Sequence, residues 1–336
     1  MGDLLTVKGL SVDYVTAKGG HVRAVDNVSF SIKEGQSFGL AGESGCGKST
    51  IAYSLMRLHR PPALISDGKI LLEGNDIVPM TEDKMQQLRW SEIAMVFQSA
   101  MNCLNPVVTM DKQFFEIFKY HGITNDKNVS RKKAEELLSF VGIPAERLKD
   151  YPHQYSGGMR QRAVIAMALA LRPKLLILDE PTTALDTVVQ RDILQCIYDL
   201  KKELKFSILF ITHDISLMME FCDTIAIMYA GKIVEEASSE KILNNPKHPY
   251  TYGLKNSFPS LKGEVKYMEG IPGTPLDLNA IPVGCRFQDR CFRACKDCFT
   301  KEPELSTTKD GFFYCHNPLD ATYQTNHNVS DIRGVI

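Results

Sequence analysis

The sequence contains no apolar run that approaches the ~18 residues a membrane-spanning helix needs. Its most apolar stretch, residues 163–171, is short and lies between Arg162 and Arg172. The chain also has almost no net charge, −1 at pH 7, so nothing in its composition favours a nucleic acid as partner. The first residues lack the basic and apolar regions of a signal peptide. If the protein acts at a membrane, we expect other subunits to span it.

Internal repeats are also lacking, so each sequence motif occurs once. The 336 residues exceed what one compact core needs and are few for two large domains, which predicts one main domain with an appendage. The composition changes near Asn244, after which proline, glycine, cysteine and aromatic residues are frequent and periodicity is weak. We therefore predict a main domain over residues 1–244 and an appendage over residues 245–336.

Hydrophobic periodicity predicts an α/β fold. Residues 1–40 contain short alternating apolar sets typical of strands, and residues 38–41 form a short buried strand before a glycine-rich turn. Residues 175–178 and 206–211 are continuous apolar strands, and residues 188–204 read as the helix between them. Such strands are typical of a parallel sheet covered on both faces. Residues 80–170 are predicted to be mostly helical, with an amphipathic helix at residues 131–141.

A phosphate-binding loop is predicted at residues 42–49, GESGCGKS, which fit the pattern G-x-x-x-x-G-K-[ST] between a strand and a helix. Glycines let successive backbone N–H groups point at phosphates, and the helix N-terminus adds partial positive charge. Lys48 is expected to reach the β and γ phosphates and Ser49 to ligate Mg²⁺. The predicted nucleotide-binding residues here are Gly42, Ser44, Gly45, Cys46, Gly47, Lys48, Ser49 and Thr50.

Cys46 lies inside this loop at a helix N-terminus, a position expected to lower the pKa of a thiol. One hypothesis is that alkylation of Cys46 abolishes nucleotide binding and that MgATP protects it. The alternative is that any small residue serves at this position.

Two adjacent carboxylates, Asp179 and Glu180, end the buried strand at residues 175–178. Ligands bind at the carboxyl ends of strands in parallel α/β sheets. Asp179 is therefore predicted to hold Mg²⁺, and Glu180 to act as the general base that polarises the attacking water. The alternative, a capping pair for the turn at Pro181, is less favoured because a phosphate loop precedes the strand in the same chain.

Ser156, Gly157 and Gly158 begin a predicted helix shortly before the acidic strand. A serine hydroxyl and glycine N–H groups at a helix start form a second anion site, which we expect to serve a γ-phosphate bound to another subunit. The stretch YSGGMRQR at residues 155–162 resembles the signature motif of the ABC ATPase superfamily. Tyr155 stands where those proteins usually have leucine.

This resemblance covers about residues 4–250 and implies further roles. It implies a RecA-like core with an antiparallel β subdomain and a helical subdomain at about residues 99–170. By the same likeness, Tyr14 stacks on adenine and Gln98 senses Mg²⁺ and the lytic water. Residues 184–186, with Asp186, resemble the D-loop, and His213 matches the switch histidine that contacts the γ-phosphate.

The appendage resembles the C-terminal extension of oligopeptide and dipeptide importer ATPases, through residues 248–251, 270–273, 284–287 and 290–291. Four thiols in a core-poor segment suit Zn²⁺ or an iron–sulfur cluster, and the family pattern implies 4Fe-4S. We predict a 4Fe-4S cluster with a structural role, with zinc or free or disulfide-bonded thiols as alternatives. The predicted ligands are Cys285, Cys291, Cys298 and Cys315, with Cys295 in reserve.

The resemblance implies an ATPase subunit, using ATP and Mg²⁺, that drives uptake of dipeptides or oligopeptides from the cytoplasmic face of the membrane. The implied partners are a sister ATPase, two membrane permeases and an extracytoplasmic solute-binding protein, and a homodimer remains an alternative. A nickel or oligosaccharide importer is the alternative transporter. A soluble ABC ATPase acting on ribosomes or DNA is disfavoured, because the chain has one ATPase domain and no heptad run.

Overall fold

The computed structural model describes residues 2–16, 19–183, 185–257 and 270–320, and the chain divides into two compact units. The first unit comprises residues 1–5, 32–36 and 72–210, and the second comprises residues 6–31, 37–71 and 211–336. Each unit is therefore built from several separate stretches of the sequence.

The strands and helices alternate through most of the described chain. In order they are β1 (Asp3–Val15), β2 (His21–Lys33), β3 (Ser37–Ala41), α1 (Lys48–Leu55), β4 (Ala63–Leu72), β5 (Asn75–Asp76), α2 (Glu82–Leu88), β6 (Ile93–Val96), α3 (Met110–Tyr120), α4 (Lys127–Phe140), α5 (Gly157–Ala168), β7 (Leu175–Asp179), α6 (Thr187–Leu204), β8 (Ser207–Thr212), α7 (Ile215–Phe221), β9 (Thr224–Tyr229), β10 (Lys232–Ser238), α8 (Ser239–Asn244), α9 (Pro249–Asn256), β11 (Leu305–Thr308) and β12 (Gly311–Tyr314).

In the first unit, the strands follow the order β8-β7-β6. β6 and β7 are parallel, with Ile93 opposite Leu175 and Val96 opposite Leu178. Every residue of β7 is buried, which explains why its sequence is a continuous apolar run rather than an alternating one. The predicted parallel α/β architecture is confirmed in these strands.

Helices α3, α4 and α5 of the same unit pack in sequence, α3 on α4 and α4 on α5. Phe114 and Phe118 of α3 and Leu138 of α4 are at most 1% exposed, so these helices share an apolar core. Asp126 caps α4 by accepting a hydrogen bond from the backbone N–H of Asn128 at 2.7 Å. The amphipathic helix predicted at residues 131–141 is confirmed as the later part of α4.

In the second unit, one sheet has the order β11-β12-β10-β9-β3. β3 runs parallel to β9, with Phe38 opposite Thr224, and β10 runs antiparallel to β9. A separate sheet contains β1 between β2 and β4. β3 is buried along its whole length, so the loop that follows it starts from a fixed point.

The chain beyond residue 245 contributes helix α9 and a hairpin of β11 and β12, neither of which weak periodicity predicted. β12 extends the sheet by pairing with β10, with Glu236 opposite Phe312. A Cβ atom at Gly311 would lie 1.9 Å from the carbonyl oxygen of Glu236, so glycine permits this close pairing. Strands of four residues carry too little pattern for sequence analysis to detect.

Among the described residues, the structure has no helix that is both long enough and apolar enough to cross a membrane.

Candidate functional site

The phosphate-binding loop connects β3 to α1 and depends on glycine at two positions. Gly42 has φ 154°, and a Cβ there would lie 2.2 Å from the carbonyl oxygen of Met228. Gly47 has φ 108°, and a Cβ there would lie 2.5 Å from the carbonyl oxygen of Ala24. Any larger residue would push the loop off its two neighbouring strands. The glycines of the motif are therefore required by the protein's own packing.

Lys48 is buried against the backbone of this loop. Its Nζ donates hydrogen bonds to the carbonyl oxygens of Gly42 at 2.7 Å and Glu43 at 2.9 Å, and the residue is 6% exposed. Ser44 and Gly45 are exposed, while Ser49 and Thr50 are half-buried in the first turn of α1. A cation and a helix N-terminus thus share one small region, which suits an anionic ligand.

The pKa of the Cys46 thiol differs from the one expected from the sequence. The residue is 5% exposed, and burial raises the pKa of its thiol because the thiolate would lose its hydration. The ammonium of Lys48, 3.7 Å from the sulfur, lowers that pKa, but by less than burial raises it. The predicted low pKa is therefore wrong. Cys46 is a small buried side chain in the loop.

The acidic pair lies in the first unit, at the end of β7. Asp179 is 2% exposed, and Glu180 follows at φ 47°, a left-handed conformation that is unusual for glutamate. The Nε2 of Gln98 donates a hydrogen bond to Oε2 of Glu180 at 2.9 Å, and the hydroxyl of Thr183 donates to the same oxygen at 3.0 Å. The structure thus brings together the predicted general base and the predicted glutamine.

The signature segment begins α5 as predicted. Ser156 is the N-cap, and its hydroxyl accepts a hydrogen bond from the backbone N–H of Met159 at 3.2 Å. The residue is exposed. A Cβ at Gly158 would lie 2.7 Å from Cγ1 of Val189, so α5 and α6 approach too closely for a side chain there. Gly157 beside it is half-buried.

Tyr155 replaces the usual leucine without loosening the segment. It is 4% exposed, and its hydroxyl donates a hydrogen bond to the carbonyl oxygen of Arg147 at 2.8 Å. Burial raises the pKa of Tyr155 to about 12, so the hydroxyl stays a donor at neutral pH. The extra hydroxyl thus has a partner, and the ring keeps the apolar role of leucine.

The remaining predicted site residues lie at or near the ends of helices and strands. Asp186 is the exposed N-cap of α6 and accepts from the backbone N–H of Val189 at 3.0 Å. His213 is exposed directly after β8, and Tyr14 is half-buried near the end of β1. Ala184, in the stretch that resembles a D-loop, lies outside the described residues.

The late cysteines do not form a recognisable metal site. The sulfurs of Cys295 and Cys298 lie 3.6 Å apart. Burial raises the pKa of Cys285 to about 11 and of Cys291 and Cys315 to about 12, with a further increase from neighbouring thiols. Over residues 2–16, 19–183, 185–257 and 270–320, no group of three or more metal-binding side chains is placed to hold an ion. The structure does not support the predicted 4Fe-4S cluster or a zinc site.

Sequence analysis missed the partners of Glu43, the second residue of the phosphate loop. Arg290 donates two hydrogen bonds to its carboxylate, at 2.7 and 2.8 Å, and the hydroxyl of Tyr250 accepts from its backbone N–H at 3.0 Å. Glu43 is 207 positions from Tyr250 and 247 positions from Arg290, and no local pattern links it to either residue. The nearest signal was the family-like stretches around residues 248–251 and 290–291.

Comparison with known proteins identifies two family segments. Residues 25–183 match the family model described as ABC transporter. Residues 234–298 match the model described as Oligopeptide/dipeptide transporter, C-terminal region. The first segment contains the phosphate loop, the signature segment and the acidic pair.

Two curated relatives resemble the chain over most of its length. The oligopeptide transport ATP-binding protein OppD of Bacillus subtilis is 46% identical over 91% of this chain and 86% of its own. The dipeptide transport ATP-binding protein DppD of Lactococcus lactis is 44% identical, over 91% of this chain and 88% of its own.

A solved structure confirms the ATP-binding cassette fold. The ATP-binding cassette MJ0796, solved as a dimer in a post-hydrolysis state with ADP and phosphate, aligns with a TM-score of 0.62. It is 29% identical and covers 70% of this chain and 98% of its own. The α/β fold class and the ATPase assignment are therefore confirmed. The chain belongs to the ABC transporter family, among the ATP-binding proteins of oligopeptide and dipeptide transporters.

Proposed function

We propose that this chain is the ATP-hydrolysing subunit of an importer that couples ATP binding and hydrolysis to the uptake of dipeptides or oligopeptides. The observation that carries the proposal is the similarity to OppD and DppD, which spans 91% of this chain and includes the C-terminal region. The peptide-transporter model at residues 234–298 favours peptides over nickel or oligosaccharides as cargo.

In the proposed reaction each residue has a separate role. Lys48 binds the β and γ phosphates, Ser49 and Asp179 serve Mg²⁺, and Glu180 accepts a proton from the attacking water. The hydrogen bond from Gln98 supports this role for Glu180, because it orients the carboxylate that has to accept the proton. Tyr14 stacks on adenine, and His213 contacts the γ-phosphate.

We infer that the active form is a pair of ATPase subunits. Ser156 is exposed at the N-terminus of the 12-residue helix α5, where its hydroxyl can donate a hydrogen bond to an anion on another molecule and the helix terminus adds partial positive charge. Each ATP is then held by the phosphate loop of one subunit and the signature segment of the other. The dimeric form of the similar cassette supports this arrangement. ATP binding should therefore stabilise the pair by mass action.

The proposed partners are a sister ATPase, two transmembrane permeases and a solute-binding protein outside the membrane. The chain would act at the cytoplasmic face of the cell membrane through the permeases.

A C-terminal 4Fe-4S cluster on Cys285, Cys291, Cys298 and Cys315 stays a prediction. An anaerobic absorbance band near ~400 nm, which Zn²⁺ lacks, would test it.

The function is tested in the source cell. Deletion of this chain should abolish uptake of labelled dipeptides and oligopeptides, and wild-type chain but not the Lys48→Ala variant should restore it. Affinity purification from native membranes should recover two permeases with the chain. Normal peptide uptake with loss of nickel or oligosaccharide uptake would contradict the proposal and identify the alternative cargo. Recovery of ribosomes without permeases would contradict a transport role altogether.

A further inference from the structure

Every polar group of Glu43 in the phosphate loop has a protein partner. Its backbone N–H donates to the hydroxyl of Tyr250 at 3.0 Å. Its carbonyl oxygen accepts from Nζ of Lys48 at 2.9 Å and from the backbone N–H of Cys46 at 3.3 Å. Its carboxylate accepts two hydrogen bonds from Arg290. The start of the loop is therefore fixed from two sides by residues far away in the sequence.

Arg290 is itself held rigidly. It is 7% exposed, its Nε donates to the carbonyl oxygen of Pro272 at 2.8 Å, and Nη1 lies 3.4 Å from the hydroxyl oxygen of Tyr229. Its guanidinium also lies 5.7 Å from the ring centre of Tyr229 and 5.9 Å from that of Phe287. A planar guanidinium with two bonds to one carboxylate fixes both position and orientation. Arg290 thus transmits its own fixed position to Glu43.

Tyr250 provides the second anchor. Its relative exposure is 0%, and its ring centre lies 4.7 Å from that of Tyr229 and 5.2 Å from that of Phe287. The helix that carries it, α9, is anchored where it begins. There the carboxylate of Glu235 accepts from the backbone N–H groups of Lys247 at 2.7 Å and His248 at 2.9 Å. The hydroxyl of Tyr250 therefore meets the loop from a fixed helix.

The charges of Glu43 and Arg290 determine how this arrangement affects the binding of an anion. Glu43 places a carboxylate in a loop that has to receive an anionic triphosphate. Arg290 neutralises that carboxylate at hydrogen-bond distance, in a site largely shielded from water. Without the guanidinium, the carboxylate would repel phosphate and be free to leave its position, because charges in a shielded site interact strongly. Removing the carboxylate together with the guanidinium removes the repulsion.

We propose that the C-terminal region of this chain prepares its phosphate loop for an anion: Arg290 neutralises and holds the carboxylate of Glu43, and Tyr250 holds the backbone N–H of the same residue. The proposal rests on the proposed function, in which this loop binds ATP. Arg290 acts through Glu43 and does not itself touch the nucleotide. The C-terminal region therefore sets the affinity of the loop for ATP.

The test measures equilibrium binding of a fluorescent ATP analogue to the full-length chain, with thermal unfolding recorded for each variant. Arg290→Met should weaken binding by about tenfold or more, since one unpaired shielded charge changes an equilibrium by that order. The double variant Glu43→Gln with Arg290→Met should recover binding to within about threefold of wild type. A role of Arg290 in fold stability alone would not produce this recovery.

Matched variants separate the proposal from general damage. Glu302→Gln removes the ion pair to Lys232, which joins the C-terminal region to β10, and should leave binding within about twofold. Tyr250→Phe and Arg290→Lys remove one hydrogen bond or the bidentate geometry, and each should weaken binding by about threefold or more. If Arg290→Met does not fold, these two milder variants test the proposal in its place.

Two results would overturn the proposal: Arg290→Met binding as tightly as Glu302→Gln, or the double variant binding as weakly as Arg290→Met. If Arg290→Met does not fold, wild-type binding by both Tyr250→Phe and Arg290→Lys would overturn it as well. Unchanged binding by Lys48→Ala would instead remove the ATP site on which the proposal depends, so the two failures are distinguishable.

Discussion

The side-chain amide of Gln98 donates a hydrogen bond of 2.9 Å to Oε2 of Glu180, although the two residues are 82 positions apart. Glu180 has a left-handed backbone conformation and receives a second hydrogen bond from Thr183. Backbone strain of this kind persists only where surrounding contacts maintain it, and it is frequent at functional sites. The orientation of the Glu180 carboxylate is therefore set by named neighbours.

Glu180→Gln should lower ATP turnover by at least about a hundredfold, because a general base contributes that much or more. ATP binding should persist, since the substitution keeps the shape of the side chain. Phosphate release in the assembled transporter measures turnover, and binding of a fluorescent ATP analogue measures affinity. Glu203→Gln, on the exposed side of α6, is the matched control and should match wild type. Turnover above a tenth of wild type in Glu180→Gln would exclude this residue as the base.

Gln98→Ala should reduce turnover by about tenfold, because Glu180 loses the hydrogen bond from Gln98 that helps to orient it. Affinity for ATP without Mg²⁺ should change little. Gln195→Ala removes an exposed hydrogen bond to Asp199 on α6 and serves as the control for losing a glutamine. Equal turnover in the Gln98 and Gln195 variants would show that the bond to Glu180 has no catalytic role.

Ser156 allows a test of the paired arrangement that leaves the fold intact. Ser156→Asp and Ser156→Asn both keep an N-cap for α5, whereas Ser156→Ala should cost about 1 kcal/mol of stability. Aspartate adds a negative charge where the partner's γ-phosphate is proposed to lie. In a Glu180→Gln background, Ser156→Asp should abolish the ATP-dependent dimer while its melting temperature stays near that of Ser156→Asn. Size-exclusion chromatography with MgATP measures the dimer, and an undiminished dimer in Ser156→Asp would contradict the shared site.

The buried His248 should make the protein less stable at pH 5 than at pH 7. Burial lowers its pKa from 6.5 to about 3, and its Nδ1 accepts from the backbone N–H of Tyr250 at 3.0 Å. The unfolded imidazole binds a proton below pH 6.5 while the folded one stays neutral, so acidification favours unfolding. At pH 5 the loss is about 2 kcal/mol. Chemical unfolding at both pH values should show that His248→Asn lacks this part of the loss.

Glu236 also contributes to the pH dependence of stability, so the effect of His248 has to be measured as a difference between wild type and a His248 variant. Burial raises the pKa of its carboxyl to about 7, so this group favours the folded state as the pH falls toward 4.5 and opposes the effect of His248. The difference between wild type and His248→Asn isolates the histidine. An identical pH dependence in the two proteins would contradict the assignment.

The cysteines differ in expected reactivity. Cys46 is buried with a raised pKa, whereas Cys103 is exposed. Iodoacetamide should therefore modify Cys103 at least about tenfold faster than Cys46 in the native protein, because the thiolate is the reactive form. Mass spectrometry of timed digests measures both rates, and denatured protein, in which the rates should converge, is the control. Faster modification of Cys46 would mean that the loop opens readily.

The sequence alone determined the local chemistry of the site. The phosphate loop follows a buried strand, and the acidic pair Asp179 and Glu180 lies where another buried strand ends. Ser156 caps a helix. The sequence reveals all three features because each depends on neighbouring residues. Continuous apolar runs predicted the buried strands for the same reason. The signature stretch was specific enough to indicate the ABC ATPase superfamily, which the comparisons confirmed.

Only the tertiary structure decided the contacts between distant parts of the chain and their energetic consequences. The ion pair of Glu43 with Arg290 joins positions 247 apart, and no periodic pattern encodes such a contact. The pKa of Cys46 depended on whether burial outweighs a nearby ammonium, and burial prevailed. The late cysteines were visible in the sequence, but their spacing did not determine whether their sulfurs converge. Local order follows from the nearest neighbours in the chain, whereas burial and distant pairing follow from how the folded chain fills space.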